Sequence, residues 1–163
     1  MNKEILTFKL KEIADIRGNF TKFYDSANLP SLEKVVEIFK SSSLKNTIRG
    51  LHFQKVPYNQ NKIVICSSGK ILDVIVNIDH SDKNFGRVYS FTLEKNQGVY
   101  IPNNYAHGFL SLIDSETIYF TDKLYSKKHD TGILWNSIDF EWPVKKPIIS
   151  NRDLNLPKLA SIS

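Results

Sequence analysis

The sequence predicts an all-β fold, a sandwich or barrel made of two sheets of short strands. Short apolar or alternating runs recur at roughly 8–12-residue spacing, which is typical of such folds. β-Branched residues dominate the longest of these runs, Ile71–Ile78. Clusters of Gly, Ser, Asn and Asp separate the runs and mark turns. A double-sheet roll of this kind encloses a cavity at its mouth, so polar residues that converge there are the candidates for function.

The predicted strands follow one another through the middle of the chain. They cover Lys62–Cys66, Ile71–Ile78, Arg87–Leu93, Val99–Ile101, His107–Ile113 and Glu116–Lys123, with turns at Ser67–Lys70, Asp79–Gly86, Glu94–Gly98 and Asp114-Ser115. One segment, Ser31–Phe39, predicts a helix, because its apolar residues lie at helical spacing behind a Pro-Ser start. The tail, Pro143–Ser163, contains three prolines and is expected to cross the surface or to form a short helix.

Length and composition restrict the class of protein. The 163 residues correspond to a single domain, residues 1–163. Cys66 is the only cysteine, which excludes an intrachain disulfide and a Cys-rich zinc site. No apolar run approaches the roughly 20 residues of a membrane span, and the N-terminus lacks the apolar core of a signal peptide. We therefore expect a cytoplasmic protein with no membrane partner.

The charge of the chain favours a small anionic ligand. The net charge is +5, from 22 Lys and Arg against 17 Asp and Glu. The densest basic groups, Lys127-Lys128 and Lys145-Lys146, are only dipeptides, whereas nucleic-acid binding would predict a basic run or stripe. A phosphorylated small molecule is thus expected as the partner, and nucleic acid is not.

The segment Arg49–Gln54 is the first candidate for chemistry. Strand alternation would place Arg49, Leu51 and Phe53 on one face and Gly50, His52 and Gln54 on the other. An isolated histidine is most often satisfied within a core. Arg49 favours a binding site instead, because an arginine is rarely placed beside a core without an anion.

The segment Tyr100–Phe109, which contains His107, is the second candidate and resembles the second motif of cupin barrels. Metal-binding cupins carry two histidines and a glutamate in their first motif. Here only His52 is present, Gln54 stands where the second histidine would fall, and the next acid is Asp73. This donor set argues against a metal and leaves His52 for proton transfer.

Motifs across nearly the whole chain resemble, in order and spacing, those of the dTDP-4-dehydrorhamnose 3,5-epimerase family. They are Arg17-Gly18-x-Phe20, Ile48–Gln54, Gln60-x-Lys62, Gly69-x-x-x-Asp73-Val74-x-Val76, Phe85-Gly86, Ile101-Pro102-x-x-x-Ala106–Phe109, Ile133–Asn136, Trp142-Pro143 and Ser150-x-x-Asp153. The resemblance implies a cupin-type double-stranded β-helix, or jelly-roll barrel, with short peripheral helices. It also implies a cofactor-independent epimerase of a nucleotide-diphospho-4-keto sugar, serving the biosynthesis of a carbohydrate such as a polysaccharide or capsule.

The resemblance also implies roles for four residues. His52 matches the catalytic base, Asp153 the carboxylate that orients it, Tyr119 the proton donor on the opposite face of the sugar, and Lys62 the lysine near the 4-keto oxygen. These residue types suit the reaction, because a proton next to a ketone leaves to a base and the resulting enolate oxygen needs a fixed cation or donor.

The remaining matches are expected to bind substrate. Arg49 and Arg17 match arginines of the sugar or diphosphate site, and Arg17 and Phe20 would come from the second subunit of a homodimer. The other candidates are Gln54, Gln60, Asp73, His107 and Tyr125, the last near the aromatic residue that stacks on the base. Three positions where nucleotide or sugar would be held depart from the family: Glu37 and Phe39 replace the amides of a Gln-x-Asn-x-Ser stretch, and Lys22 replaces an acid.

Several alternatives remain open from the sequence. The substrate could be a dTDP-linked 4-keto-6-deoxyhexose or a GDP-linked 4-keto hexose or heptose, with inversion at C3, at C5 or at both. A 3,4-ketoisomerase on the same barrel and a non-catalytic sugar-nucleotide-binding barrel are the other readings. A metal-dependent cupin oxygenase is the least favoured alternative.

Overall fold

Antiparallel β-sheets dominate the computed structural model, which describes residues 4–25, 27 and 32–162. In chain order, the strands of these residues are β1 (Leu6–Lys9), β2 (Glu12–Asp15), β3 (Gly18–Thr21), β4 (Glu37–Ser43), β5 (Ile48–Gln54), β6 (Lys62–Ser68), β7 (Lys70–Asn77), β8 (Val88–Glu94), β9 (Gln97–Ile101), β10 (Tyr105–Ser111), β11 (Ser115–Thr121) and β12 (Asp130–Gly132). A short helix, α1 (Asn151–Leu154), and a 3-10 turn at Leu159–Ser161 follow.

The strands form two five-stranded sheets and a separate hairpin. The first sheet has the order β1-β9-β6-β11-β4, and the second has the order β12-β5-β10-β7-β8. β2 and β3 pair only with each other in the described chain. The predicted all-β double-sheet roll is therefore confirmed, and each predicted strand is present within two residues of its expected bounds.

Apolar side chains fill three layers. An interior layer between the two sheets contains Val64, Ile75 and Phe109. The N-terminal segment covers the outer face of the first sheet, where Leu10 and Leu32 pack with the cluster of Ile63, Ile65, Tyr100 and Phe120. Because β6 and β7 are covered on both faces, their central residues are mostly apolar rather than alternating, with Asp73 of β7 as an exception.

The C-terminal segment covers the outer face of the second sheet. Ile133, Ile138 and Trp142 pack there with residues of β5, β7 and β10. The tail then forms α1 and the 3-10 turn, so the expected short helix is present. No helix in residues 4–25 and 32–162 is long and apolar enough to cross a membrane.

The helix predicted over Ser31–Phe39 is wrong. Residues 32–36 are irregular and residues 37–43 form β4, while Ser31 lies outside the described residues. β4 pairs along its whole length with β11, from Glu37 opposite Thr121 to Ser43 opposite Ser115. This pairing satisfies the backbone and overrides the helical spacing of the apolar residues, two of which, Leu32 and Val35, cover the first sheet.

Candidate active site

A cavity of about 640 Å³ opens at one end of the roll, between the two sheets. Most of its lining residues are polar, and it adjoins the apolar interior layer. Ten of the residues predicted from the sequence line it: Glu37, Arg49, His52, Gln54, Gln60, Lys62, His107, Tyr119, Tyr125 and Asp153.

An irregularity in β5 turns Arg49 and His52 toward the same cavity. On β10, His107 pairs with His52 and Phe109 pairs with Arg49, so two steps on β10 correspond to three on β5. The extra residue is a β-bulge, and it includes Gly50 at φ +128°. The expectation that Arg49 and His52 lie on opposite faces was therefore wrong, because the bulge shifts the alternation by one residue.

His52 forms a short hydrogen bond with Asp153. The distance from Nε2 of His52 to Oδ1 of Asp153 is 2.7 Å, and the second carboxylate oxygen accepts the N–H of Gly50 at 3.2 Å. Ser150 caps α1 and holds the buried Asp153 in place. Burial of Asp153 acts to raise its pKa, but the contacts with His52 and Gly50 outweigh burial and hold that pKa below its usual value. With Nε2 engaged, Nδ1 is the His52 nitrogen available for proton exchange.

A second histidine–carboxylate pair lies deeper in the roll. Nε2 of His107 is 2.7 Å from Oδ2 of Asp73, and both side chains are buried. Burial lowers the pKa of His107, although Asp73 acts to raise it. Asp73 was expected to line the cavity, but it lies behind His107. Its Oδ1 atom is buried without a hydrogen-bond partner among the described residues.

Lys62 is a buried cation at the start of β6. Its side chain lines the cavity, and within residues 4–25 and 32–162 no hydrogen bond or ion pair holds its ammonium group. Burial lowers its pKa to about 8, against the charges of Asp73 and Asp130, which act to raise it. Such a cation is available to an oxygen of a ligand.

Tyr119 approaches the cavity from the other sheet. It lies on β11 of the first sheet, whereas His52 and His107 belong to the second sheet. Its ring stacks on Phe39, with centroids 4.7 Å apart and an interplanar angle of 8°. Burial raises the pKa of Tyr119 to about 12, so its hydroxyl is protonated at neutral pH.

Hydrogen bonds and ion pairs organise the rim of the cavity. Nε of Arg49 donates to the hydroxyl of Ser43 at 2.8 Å, which directs the guanidinium along the wall. Arg152 and the hydroxyl of Tyr125 both donate to Asp130, at 2.6 and 3.2 Å. The rim therefore offers two arginines and the exposed aromatic ring of Tyr125.

The two predicted glutamines and Glu37 are bound within the protein. Gln54 donates to Gln60 at 3.1 Å and accepts the N–H of Ser126 at 2.6 Å. Glu37 accepts the N–H of Tyr125 at 2.8 Å. These three side chains line the cavity and also hold the loop that carries Tyr125.

Sequence reasoning missed one wall of the cavity and part of its rim. The predicted helix concealed β4, whose residues Ser41 and Ser43 line the site beside Phe39, and Asp130 and Arg152 were not among the predicted site residues. The two-residue spacing of Glu37, Phe39 and Ser41, which match alternate positions of the family's Gln-x-Asn-x-Ser stretch, is the signal that could have revealed the wall. Arg152 could have been found through its position next to Asp153.

Besides Asp73, three predicted residues do not reach the cavity of their own chain. Arg17, Phe20 and Lys22 belong to or follow the β2–β3 hairpin, and all three are exposed. Arg17 forms an ion pair with Asp15 at 2.6 Å, and Lys22 forms one with Asp25 at 3.5 Å. In a single chain the structure thus does not bring Lys22 to the substrate site.

The two histidines that line the cavity, His52 and His107, are each paired with a carboxylate. Within the described part of the chain, no three His, Cys, Asp or Glu side chains are arranged to hold a metal ion. The site brings together two histidine–carboxylate pairs, one buried lysine, one tyrosine and rim arginines.

Comparisons with known proteins identify the family. The family model described as dTDP-4-dehydrorhamnose 3,5-epimerase matches residues 2–161. The chain belongs to this family. A relative of that name from Shigella flexneri is 38% identical over 161 residues, which cover 93% of this chain and 89% of the relative. Membership confirms the resemblance drawn from the motifs and the predicted enzyme class, an isomerase of the epimerase type.

Solved structures of the family have the same fold. The dTDP-4-dehydrorhamnose 3,5-epimerase of Sulfolobus tokodaii matches with a TM-score of 0.88 and 36% identity, covering 96% of this chain and 91% of that one. The Bacillus anthracis enzyme, solved with TDP and PPi bound, matches with a TM-score of 0.88 and 34% identity, covering 95% and 94%. The cupin-type jelly roll predicted from the motifs is confirmed.

Proposed function

We propose that this protein inverts C3 and C5 of a dTDP-linked 4-keto-6-deoxyhexose by proton transfer through an enolate. The names of the relatives support the substrate class, since they specify a dTDP-linked 4-dehydro sugar. The chemistry calls for a base, an acid on the opposite side and a cation for the enolate oxygen.

One observation carries this proposal: a base and an acid line one cavity from opposite sheets. His52, held by Asp153, lies on β5 of the second sheet, and Tyr119 lies on β11 of the first. A sugar bound between the sheets has one face toward each group. Inversion requires that the departing and the arriving proton cross opposite faces, and this arrangement supplies both.

The proposed step balances without a redox cofactor. Nδ1 of His52 takes the proton from the carbon beside the ketone, and the C–H electron pair forms the enolate, whose negative oxygen faces Lys62. Asp153 holds the His52 tautomer and stabilises the imidazolium. The enolate then takes a proton from the Tyr119 hydroxyl on the other face, which regenerates the ketone. Solvent returns a proton to Tyr119 and removes one from His52.

The rim residues account for the nucleotide part of the substrate. Arg49 and Arg152 present guanidinium groups whose paired N–H donors suit diphosphate oxygens. Tyr125, exposed at the same rim, offers an aromatic face for the base.

Deuterium exchange tests the proposed reaction. The protein is incubated in D₂O with a dTDP-linked 4-keto-6-deoxyhexose or with its GDP-linked counterpart, and NMR follows the sugar protons. We expect deuterium at C3 and C5 of the dTDP-linked sugar only, and loss of exchange in His52→Asn with binding of dTDP retained.

The other outcomes distinguish the alternatives. Exchange of the GDP-linked sugar alone would mean that the nucleotide base of the substrate is guanine rather than thymine. Exchange at C3 alone would mean that only C3 is inverted. Migration of the ketone from C4 to C3 would indicate a 3,4-ketoisomerase. Binding without exchange would indicate a non-catalytic sugar-nucleotide barrel.

We also propose a homodimer in which the β2–β3 hairpin places Arg17 and Phe20 at the partner's cavity. The hairpin exposes Ile13, Ile16 and Phe20, with 51%, 105% and 62% of their surface accessible. Side chains of this kind on an isolated hairpin need a covering surface. A second copy of this chain provides one and brings Arg17 near a substrate anion.

Complementation between subunits tests this arrangement. His52→Asn and Arg17→Ala are each purified as inactive proteins, mixed, and allowed to exchange subunits. A mixed dimer has one site with both native groups, so random mixing should recover about a quarter of the wild-type activity. No recovery from dimers that demonstrably exchange would contradict the arrangement, as would a fully active monomer.

A further inference from the structure

We propose that Phe39 is a positioning residue that fixes the ring plane of Tyr119 and thereby directs protonation to the opposite face of the sugar. This inference rests on the proposed function, in which Tyr119 is the proton donor. Phe39 stands where the family pattern has an amide, so the contact is a feature of this sequence.

The strand register makes the contact between the two rings direct. Phe39 on β4 is paired with Tyr119 on β11, so both side chains lie on the cavity face of the first sheet. The rings are nearly parallel at 8° and 4.7 Å apart. The rings of His107 and Tyr119 form an edge contact, with centroids 6.3 Å apart and an interplanar angle of 65°. Tyr119 thus packs against both Phe39 and His107.

Two hydroxyl groups lie beside Tyr119 on the same face of the first sheet. The next pair in the same register is Ser41 and Thr117, and its two hydroxyl oxygens are 2.7 Å apart. Burial raises the pKa of Tyr119, while these two neighbours act to lower it. The stacking of Phe39 is therefore the contact that fixes the plane of the phenol ring.

This arrangement matters because the donor competes with the base. After His52 has exchanged its proton with solvent, the enolate can take a proton back from it on the original face, which gives exchange without inversion. Protonation by Tyr119 inverts the carbon only when its hydroxyl is aligned with the enolate. An aligned donor is worth orders of magnitude in rate, and small displacements lose much of it. The ratio of inversion to exchange therefore reports the position of Tyr119.

The test measures that ratio in D₂O with the dTDP-linked 4-keto sugar. Phe39→Leu keeps an apolar side chain but removes the ring, Phe39→Tyr restores the ring, and Tyr119→Phe removes the donor. Phe85→Leu is the matched control, because Phe85 stacks on His80 at 4.2 Å and does not line the cavity. Phe39 is half exposed on an edge strand, so its variants should fold, which circular dichroism checks.

We expect Phe39→Leu to lower the ratio of inversion to exchange about tenfold, and Phe39→Tyr and Phe85→Leu to preserve it. An equal loss of inversion and exchange in Phe39→Leu, or a rise in KM alone, would overturn the inference and assign Phe39 to the sugar site. If Tyr119→Phe lowers the ratio while Phe39→Leu does not, only this inference fails. If Tyr119→Phe leaves the ratio unchanged, the proposed donor fails and the inference fails with it.

Discussion

Single residues in this cavity are held in the protonation states that the proposed reaction needs. Tyr119 has a pKa raised to about 12 by burial and remains a donor, whereas the buried Lys62 has a pKa lowered to about 8. Lys62 therefore loses its charge first as the pH rises. Loss of activity at high pH should therefore follow the deprotonation of Lys62 rather than that of Tyr119.

The pH profile should show a basic limb near pH 8. Below that pH Lys62 is charged and can stabilise the enolate, and above it the cation is progressively lost. Measurement of kcat/KM between pH 6 and 10 in the wild type and in Lys62→Arg checks this. The arginine variant stays charged, so its profile should lack the limb even if its rate is lower. A limb that persists in Lys62→Arg would assign it to another group.

The hydrogen bond between His52 and Asp153 predicts a large loss of activity when Asp153 is replaced by asparagine. Asp153→Asn retains the shape but removes the charge that orients and stabilises the imidazolium, so kcat should fall by roughly a thousandfold. Steady-state kinetics measures the loss, and calorimetry with dTDP should give an affinity within about twofold of the wild type. A loss below tenfold would contradict the assigned role.

At the scale of single elements, strand β5 shows how a backbone irregularity builds the site. The bulge at Gly50 brings Arg49 and His52 to one cavity, and the backbone there approaches β10 closely. A Cβ atom at Gly50 would lie 2.5 Å from the Cα of Gly108 and 2.9 Å from the carbonyl oxygen of His107. Glycine is thus required at this position by both conformation and space.

Gly50→Ala should destabilise the protein more than the matched variant Gly18→Ala. Gly18 has a similar φ of +124°, but nothing lies within 4 Å of a Cβ atom there. The Gly18 variant should cost about 1–2 kcal/mol for backbone strain, and the Gly50 variant roughly 1–3 kcal/mol more for overpacking. Urea unfolding at equal protein concentration compares the two, and equal losses would show that space at Gly50 is not limiting.

The elements also show what the sequence could and could not predict. The interior strands were predictable because their apolar runs and turns are local signals. β4 was not, because Phe39 shares a helical spacing with Leu32 and Val35, while pairing with β11 decides the conformation of Phe39. The motifs predicted His52, Lys62, Tyr119 and Asp153 at one cavity. Alternation could not foresee the bulge in β5, which depends on the approach of Gly108.

At the scale of the whole molecule, buried ionisable groups link the stability of the roll to pH. His107 is buried beside Asp73, and its pKa lies below the ordinary value of 6.5 because burial outweighs the attraction of that carboxylate. Unfolded chains therefore bind a proton at this histidine before the native protein does. The stabilisation is fully present above about pH 6.5 and is lost as the pH falls through the native pKa.

His107→Gln should weaken this dependence. Glutamine can still donate a hydrogen bond to Asp73 but does not titrate, so the contribution of up to about 1.4 kcal/mol per pH unit should disappear below pH 6.5. Urea unfolding at several pH values between 5 and 7 measures the slope of the free energy of unfolding against pH. Phe85→Leu, which removes no ionisable group, should retain the wild-type slope. Equal slopes in the wild type and His107→Gln would locate the acid sensitivity elsewhere.

The interior layer between the sheets has a consequence for how this enzyme can vary. Because His52 and Tyr119 belong to different sheets, the apolar side chains that separate those sheets act as a spacer between the proposed base and the proposed acid. Interiors are close-packed, so a methylene gained or lost at Ile75 or Val64 is transmitted as a displacement of one sheet relative to the other. Residues that never contact the sugar thereby set the width of the gap into which it must fit. Substitutions in the apolar core should therefore alter catalysis as well as stability.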